Sequence, residues 1–215
     1  MKEIIIIGAG GFAREVAWLI EEINKITHEW KLLGYIEEYK DNIGKNLNGY
    51  EVLGDFNWIK ENNCNNLYYV CGVADPTLKE RFVLKAEELG LKAAVLIHPN
   101  VQISNYNNIE EGVIICSGCI ITVNIHIKRH VIVNIDSTIG HDAVIEEYST
   151  ILPSVNISGN VVLGTKCLVG TSSAIIEKVS IGDNVTIGAG SVVVRDIPSN
   201  CVVVGVPGKV IKQKD

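Results

Sequence analysis

Ile139-Gly-His-Asp-Ala-Val-Ile145-Glu-Glu-Tyr-Ser-Thr-Ile151-Leu-Pro-Ser-Val-Asn-Ile157-Ser-Gly-Asn-Val-Val-Leu163 decides the fold, and it is one part of a longer array. Counting in sixes, the openers are Ile97, Ile103, Ile109, Ile115, Ile121, Ile127, Val133, Ile139, Ile145, Ile151, Ile157, Leu163, Val169, Ile175, Ile181, Ile187 and Val193. Seventeen consecutive hexads therefore begin with Ile, Leu or Val. Four residues after the opener stands a small or β-branched residue, as at Val113, Cys119, Val131, Ser137, Ala143, Ser149, Cys167, Ser173 and Ser191, with Asn107 the exception. Glycine often follows the opener directly, as at Gly140, Gly164, Gly182 and Gly188.

A period of six fits neither the 3.6 of a helix nor the 2 of a strand. It fits a parallel β-helix, each hexad supplying one wall and a corner. The aliphatic opener points inward and stacks on its counterpart one coil away, the small residue takes the crowded corner, and polar pairs such as Asp183-Asn184 occupy the turns. Three hexads close a triangular coil, so the array predicts five to six coils, roughly 25 Å tall at the usual spacing between strands. A β-sandwich would not keep every opener in phase.

Residues before Ile97 follow a different grammar. Ile4 to Ile7 is a β-branched run ending at Gly8-Ala9-Gly10-Gly11. Phe12, Val16, Leu19, Ile20 and Ile23 are spaced as one face of a helix reaching about Ile26. Leu32 to Ile36, Leu67 to Val73 and Lys92 to Leu96 read as strands, and Phe56 to Glu61 and Pro76 to Leu89 as helices, the latter entered through Asp75-Pro76. Strands alternating with helices predict a small Rossmann-like parallel sheet. The expected organisation is α/β followed by all-β: a nucleotide-binding domain over 1–96, a β-helix over 97–198 and a C-terminal tail over 199–215.

With 47% apolar and 20% charged residues the chain has material for a globular core and is not disordered. Its net charge of −6 argues against nucleic acid or an anionic membrane as main partner. There is no membrane-spanning apolar run, and the N-terminus, one Lys and then a strand-like run with no small-residue cleavage site, does not resemble a signal peptide. A soluble, cytoplasmic protein is expected. Cys64, Cys71, Cys116, Cys119, Cys167 and Cys201 are expected as reduced, mostly buried thiols. Cys116 and Cys119 have the spacing of a zinc-ligand pair but lack a second pair, and no metal is assigned.

Together, GAGGFAREV from Gly8, Gly34-Tyr35-Ile36-Glu37-Glu38, Ile97-His98-Pro99, Gly140-His141-Asp142 and Gly205-Val206-Pro207-Gly208-Lys209 resemble one family along the whole chain. It is the hexapeptide-repeat family of sialic acid O-acetyltransferases and N-acetyltransferases of nucleotide-linked 4-amino-sugars. The resemblance implies a left-handed β-helix, against the general right-handed rule for crossovers. It also implies acetyl-CoA as donor, a homotrimer with active sites between subunits, and a nucleotide-sugar substrate, UDP-4-amino-4,6-dideoxy in type.

By the same resemblance His141 is the base and Asp142, standing where relatives often carry Glu, polarises it. The chemistry suits the pair. Transfer from a thioester to an amine needs a base for the nucleophile's proton, imidazole serves near neutral pH, and a carboxylate fixes its tautomer. The bland alternative is a solvated corner histidine. A histidine that contacts the donor in several relatives is replaced here by Thr150. Gly159, Thr171 and Ala189 align with donor-side positions, Gly159 through a backbone N–H facing the thioester oxygen, and Lys209 with the CoA phosphates. Asn134 aligns with a polar position near substrate, although asparagine ladders also stabilise β-helix turns. His98, His126 and His130 are read as structural.

Gly8-x-Gly10-x-x-Ala13 also satisfies a dinucleotide fingerprint, with Glu37 or Glu38 as ribose partner. A glycine loop opening onto a helix binds phosphate generally, and the rest of the chain offers no hydride-transfer site. The resemblance makes this the nucleotide-sugar site: Gly8, Gly10, Gly11 and Phe12 at the sugar or pyrophosphate, Glu37 at the ribose or base, and Gly72 at the uracil. The other readings are O-acetylation of sialic acid or another sugar, a non-catalytic scaffold or sensor, and, third, an NAD oxidoreductase.

Overall fold

The computed structural model describes residues 1–62 and 66–214, in two compact units, Met1–Pro99 and Asn100–Asp215. In the first, β1 (Lys2–Ile7), α1 (Gly11–Thr27), β2 (Trp30–Ile36), β3 (Asn46–Leu47), β4 (Tyr50–Gly54), α2 (Phe56–Glu61), β5 (Tyr68–Cys71), α3 (Pro76–Glu88) and β6 (Lys92–Ala93) follow in order. The sheet runs β3-β4-β2-β1-β5-β6, parallel except for β3. β1 is fully buried over Ile4–Ile7, which is why its β-branched run is continuous rather than alternating. α1 turns Val16, Leu19, Ile20 and Ile23 inward, and Asp75 caps α3 by accepting from Leu78 N–H at 2.8 Å.

The short pair β3–β4 was not expected from the sequence. Its signal is Asn48-Gly49, both at positive φ (52° and 91°), the residue pair a tight hairpin turn favours. The last expected strand also divides: Lys92–Ala93 joins this sheet, whereas Leu96 starts a separate two-residue strand with Ile97. Cys64 lies outside the described residues. The other five cysteines are free and buried.

The second unit is a left-handed parallel β-helix of hexapeptide repeats. Two-residue strands from Gln102–Ile103 to Val192–Val193 stack into three parallel walls, each strand pairing with the one eighteen residues on, as Ile114–Ile115 does with Ile132–Val133. Openers from Ile139 to Val169 are essentially unexposed. One wall continues into a C-terminal hairpin, Cys201–Val204 with Lys209–Gln213.

The corner chemistry differs from the expectation. Residues four after the opener are inside, not at the turn. Ser137, Ser149 and Ser173 are fully buried, and each hydroxyl donates to a carbonyl fifteen residues on, at Leu152 (3.1 Å), Gly164 (2.7 Å) and Gly188 (2.9 Å). The bend is made one residue earlier: every sixth residue from Gly112 to Gly190 has φ between 53° and 77°. Most are not glycine, and each such residue costs on the order of 1 kcal/mol. Rungs between coils offset this, as when Asp142 N–H donates to Val123 O at 3.1 Å and Asn160 N–H to His141 O at 2.8 Å. Glycine after the opener has another cause, close approach of the next coil. A Cβ on Gly170 would stand 2.4 Å from Ala189 N, and one on Gly140 2.6 Å from Gly159 N.

Candidate active site

Residues eighteen apart stack at equivalent places on successive coils, so each corner is a column. His141 and Gly159 share one column. A Cβ on Gly159 would lie 2.5 Å from His141 Nε2 and 2.6 Å from its Cε1. Only glycine leaves room there for the ring. Asp142, at φ 59°, turns its carboxylate back so that Oδ2 accepts from His141 Nδ1 at 2.8 Å. With Nδ1 carrying the hydrogen, Nε2 keeps its lone pair. Asp142 Oδ1 accepts from Asn124 Nδ2 in the coil below, at 3.3 Å. The Asp142 carboxyl is held below the usual carboxylate range, chiefly by the His141 hydrogen bond, against an opposing desolvation, with the Asn124 amide adding to it. Both members of the pair are exposed.

Thr171 and Ala189 lie in a different column, and both are exposed. Gly159, Thr171 and Ala189 all stand two residues after an opener, where the backbone N–H makes no hydrogen bond among the described residues. They are among the amides that this position of the hexad leaves without a rung. Thr150, by contrast, is fully buried, and Asn134 is nearly so, with its Oδ1 accepting from Ile135 N–H at 2.7 Å. Lys209 is exposed at the start of the last strand. His130 is buried and stacked on Tyr148, centroids 5.6 Å apart, while His126 Nε2 lies 2.6 Å from Glu110 Oε1. Burial pushes the thiols of Cys71 and Cys167 up to about 12 and that of Cys119 to about 11, so they are poor nucleophiles. Among the described residues no group of three His, Cys, Asp or Glu side chains is placed to hold a metal ion.

The first unit carries its own cavity, about 310 Å³, at the carboxyl ends of β1 and β5, where the strand order reverses. Gly8, Gly10, Gly11, Phe12, Glu37 and Gly72 all line it. Gly8, at φ 99°, makes the turn out of β1. Around Gly10 a Cβ would meet nothing within 4 Å, so packing does not require glycine there. Gly10 caps α1 without any side-chain bond, and no acidic side chain occupies the first turn, an arrangement open to an anion. Gly72 has a packing cause, since its Cβ would stand 2.8 Å from Ala13 Cα. Glu37 accepts from Ala9 N–H and Tyr39 N–H, each at 3.2 Å, tying the loop to the end of β2 while keeping lone pairs for a ligand hydroxyl. A larger cavity of about 680 Å³ lies by α2 and the far half of α3. It is the weaker candidate because two of its three acids are already engaged, Glu38 by Arg81 and Lys85 and Asp55 as the cap of α2.

Comparison with known proteins agrees with this division. Residues 3–86 match the model of the PglD N-terminal domain. PerB from Caulobacter crescentus, solved with CoA and GDP-perosamine, superimposes with a TM-score of 0.91 over 99% of this chain and 98% of its own, at 25% identity. Residues 3–86 thus carry a PglD-type N-terminal domain, and the whole chain shares its fold with PerB. The acetyltransferase domain of PglB from Neisseria gonorrhoeae FA1090, in complex with acetyl coenzyme A, gives 0.89 at 27% identity over 98% of this chain and 99% of that one. A serine acetyltransferase from Synechococcus elongatus is 35% identical over 81 residues, 34% of this chain and about a third (33%) of that protein's length. No helix among the described residues is long and apolar enough to cross a membrane.

Proposed function

We propose that the chain is an acetyl-CoA-dependent N-acetyltransferase acting on a nucleotide-linked amino-sugar, with His141 as general base. The observation that carries this is His141 itself: Nδ1 held by Asp142 at 2.8 Å, and Nε2 facing the space that Gly159 leaves open. The neutral sugar amine attacks the thioester carbonyl. A C–N bond forms, Nε2 takes the amine proton, the C–S bond breaks, and the proton passes to the departing CoA sulfur. The free N–H of Gly159 is the oxyanion donor of this reading. No acyl-enzyme is needed.

The base column and the Thr171–Ala189 column are separated by a wall of the same prism, so a donor that meets both lies between two prisms. The resemblance makes the active unit a homotrimer, and a ring closed by rotation offers such a groove at each contact. Lys209 and the tail over 199–215 fall to the CoA side in this arrangement. The glycine loop takes the pyrophosphate and Glu37 the ribose. The nucleotide is UDP by resemblance, although PerB was solved with GDP-perosamine.

Thiol release from acetyl-CoA, followed with UDP-, GDP- and dTDP-linked 4-amino-sugars and with sialic acid, tests the reading. Turnover with one of the amino-sugars and none with sialic acid is expected. Turnover with sialic acid alone would make the enzyme an O-acetyltransferase, and none with any acceptor, together with no retention of CoA, would make it a scaffold. In the same assay Gly159→Ala, whose methyl would overlap the imidazole, is expected to lower kcat by about 10-fold or more with the melting temperature little changed. An unchanged kcat would remove the close contact from the mechanism.

A further inference from the structure

Asp142 holds the imidazole only while its own side chain keeps one rotamer. Its backbone is pinned at φ 59° by the rung to Val123 O, but the carboxylate is exposed and next to solvent. One oxygen faces His141 Nδ1, and the other is met by the amide of Asn124, eighteen residues earlier and at the equivalent place one coil below. We propose that Asn124 is a positioning residue of this site: reaching up from the coil below, its amide locks the Asp142 carboxylate in the orientation that holds His141 Nδ1. The proposal rests on His141 acting as base.

Three features argue for it. Asn124 is itself at φ 57°, the left-handed conformation that asparagine tolerates, and this aims its short side chain along the corner column. The amide is the second side chain that meets the carboxylate, and its N–H is a donor matched to the oxygen His141 does not use. His141 is the titratable group in contact with Asp142, and the residues below and above in the column, Asn124 and Asn160, are neutral. Loss of the amide thus changes one interaction of the carboxylate and no neighbouring charge.

Two substitutions keep the backbone while changing the contact. Asn124→Gly removes the amide and still suits positive φ. Asn124→Asp keeps shape and conformation but sets a second carboxylate against Asp142. The expected result is a kcat about 3- to 10-fold lower for Asn124→Gly and lower again for Asn124→Asp, with KM for acetyl-CoA within about twofold of wild type. In parallel, the Asp142 carboxyl, titrated by ¹³C NMR, should move up toward the ordinary carboxylate range in Asn124→Gly and further in Asn124→Asp. A purely structural residue would lower the melting temperature and leave the titration alone. An unmoved titration in both variants, or a moved titration with wild-type kcat, overturns the proposal. If the wild type itself transfers no acetyl group, the activity reading has failed, and the titration alone decides whether Asn124 holds the carboxylate.

Discussion

His141→Ala is expected to lower kcat for acetyl transfer by ~10²-fold or more, with KM for acetyl-CoA little affected. The reasoning is local. Nε2 is the one basic nitrogen that the corner leaves with a free lone pair, because Nδ1 is occupied by Asp142 at 2.8 Å. Burial keeps the thiols of Cys71, Cys119 and Cys167 protonated, so none offers a bypass through an acyl-cysteine. The side chain is exposed, so the variant should melt with the wild type. Steady-state thiol release and a melting curve on the same preparations check both halves. A His141→Ala protein with wild-type kcat would sink the assignment of the base.

The second large effect concerns the fold. Leu163 and Val162 are neighbours in one two-residue strand, yet Leu163 is 0% exposed in the stack of openers and Val162 is 40% exposed on the outer wall. Leu163→Ala is expected to cost about 2–5 kcal/mol, the removed methyl groups leaving a cavity between Ile145 and Ile181 that a rigid stack cannot close. Val162→Ala should stay within about 0.5 kcal/mol. Urea unfolding of the two variants decides it. Equal losses would mean that the inward register assigned to the openers is wrong.

Much of the candidate site was open to arithmetic on the sequence. Once three hexads make a coil, residues eighteen apart are stacked, and Gly159 must lie beside His141 and Asn124 beside Asp142. Asn124 was nevertheless missed, because a lone asparagine in a turn has no chemical signature until its neighbour in the next coil is considered. Burial, too, was not legible: Thr150 is 0% exposed and Asn134 6% exposed, a placement set by the packing of the coils.

By itself the sequence determined the division of the chain, the three walls and the inward row of openers, since a strict period of six allows one way to turn every opener inward. It also placed the glycine loop at the start of α1. Tertiary structure alone decided which residues make the corners. Left-handed φ at the fourth position of the hexads from Ile109 to Ile187 is tolerated by Tyr148, Lys166 and His130 as readily as by glycine. What stabilises it is the hydrogen bond to the coil below, a contact between distant residues that no local propensity records. The same holds for the two glycines nearest the chemistry. Gly10 has open space above it and Gly159 has an imidazole, and only the packed structure distinguishes a glycine with no neighbour at its Cβ from one that makes room for a neighbour.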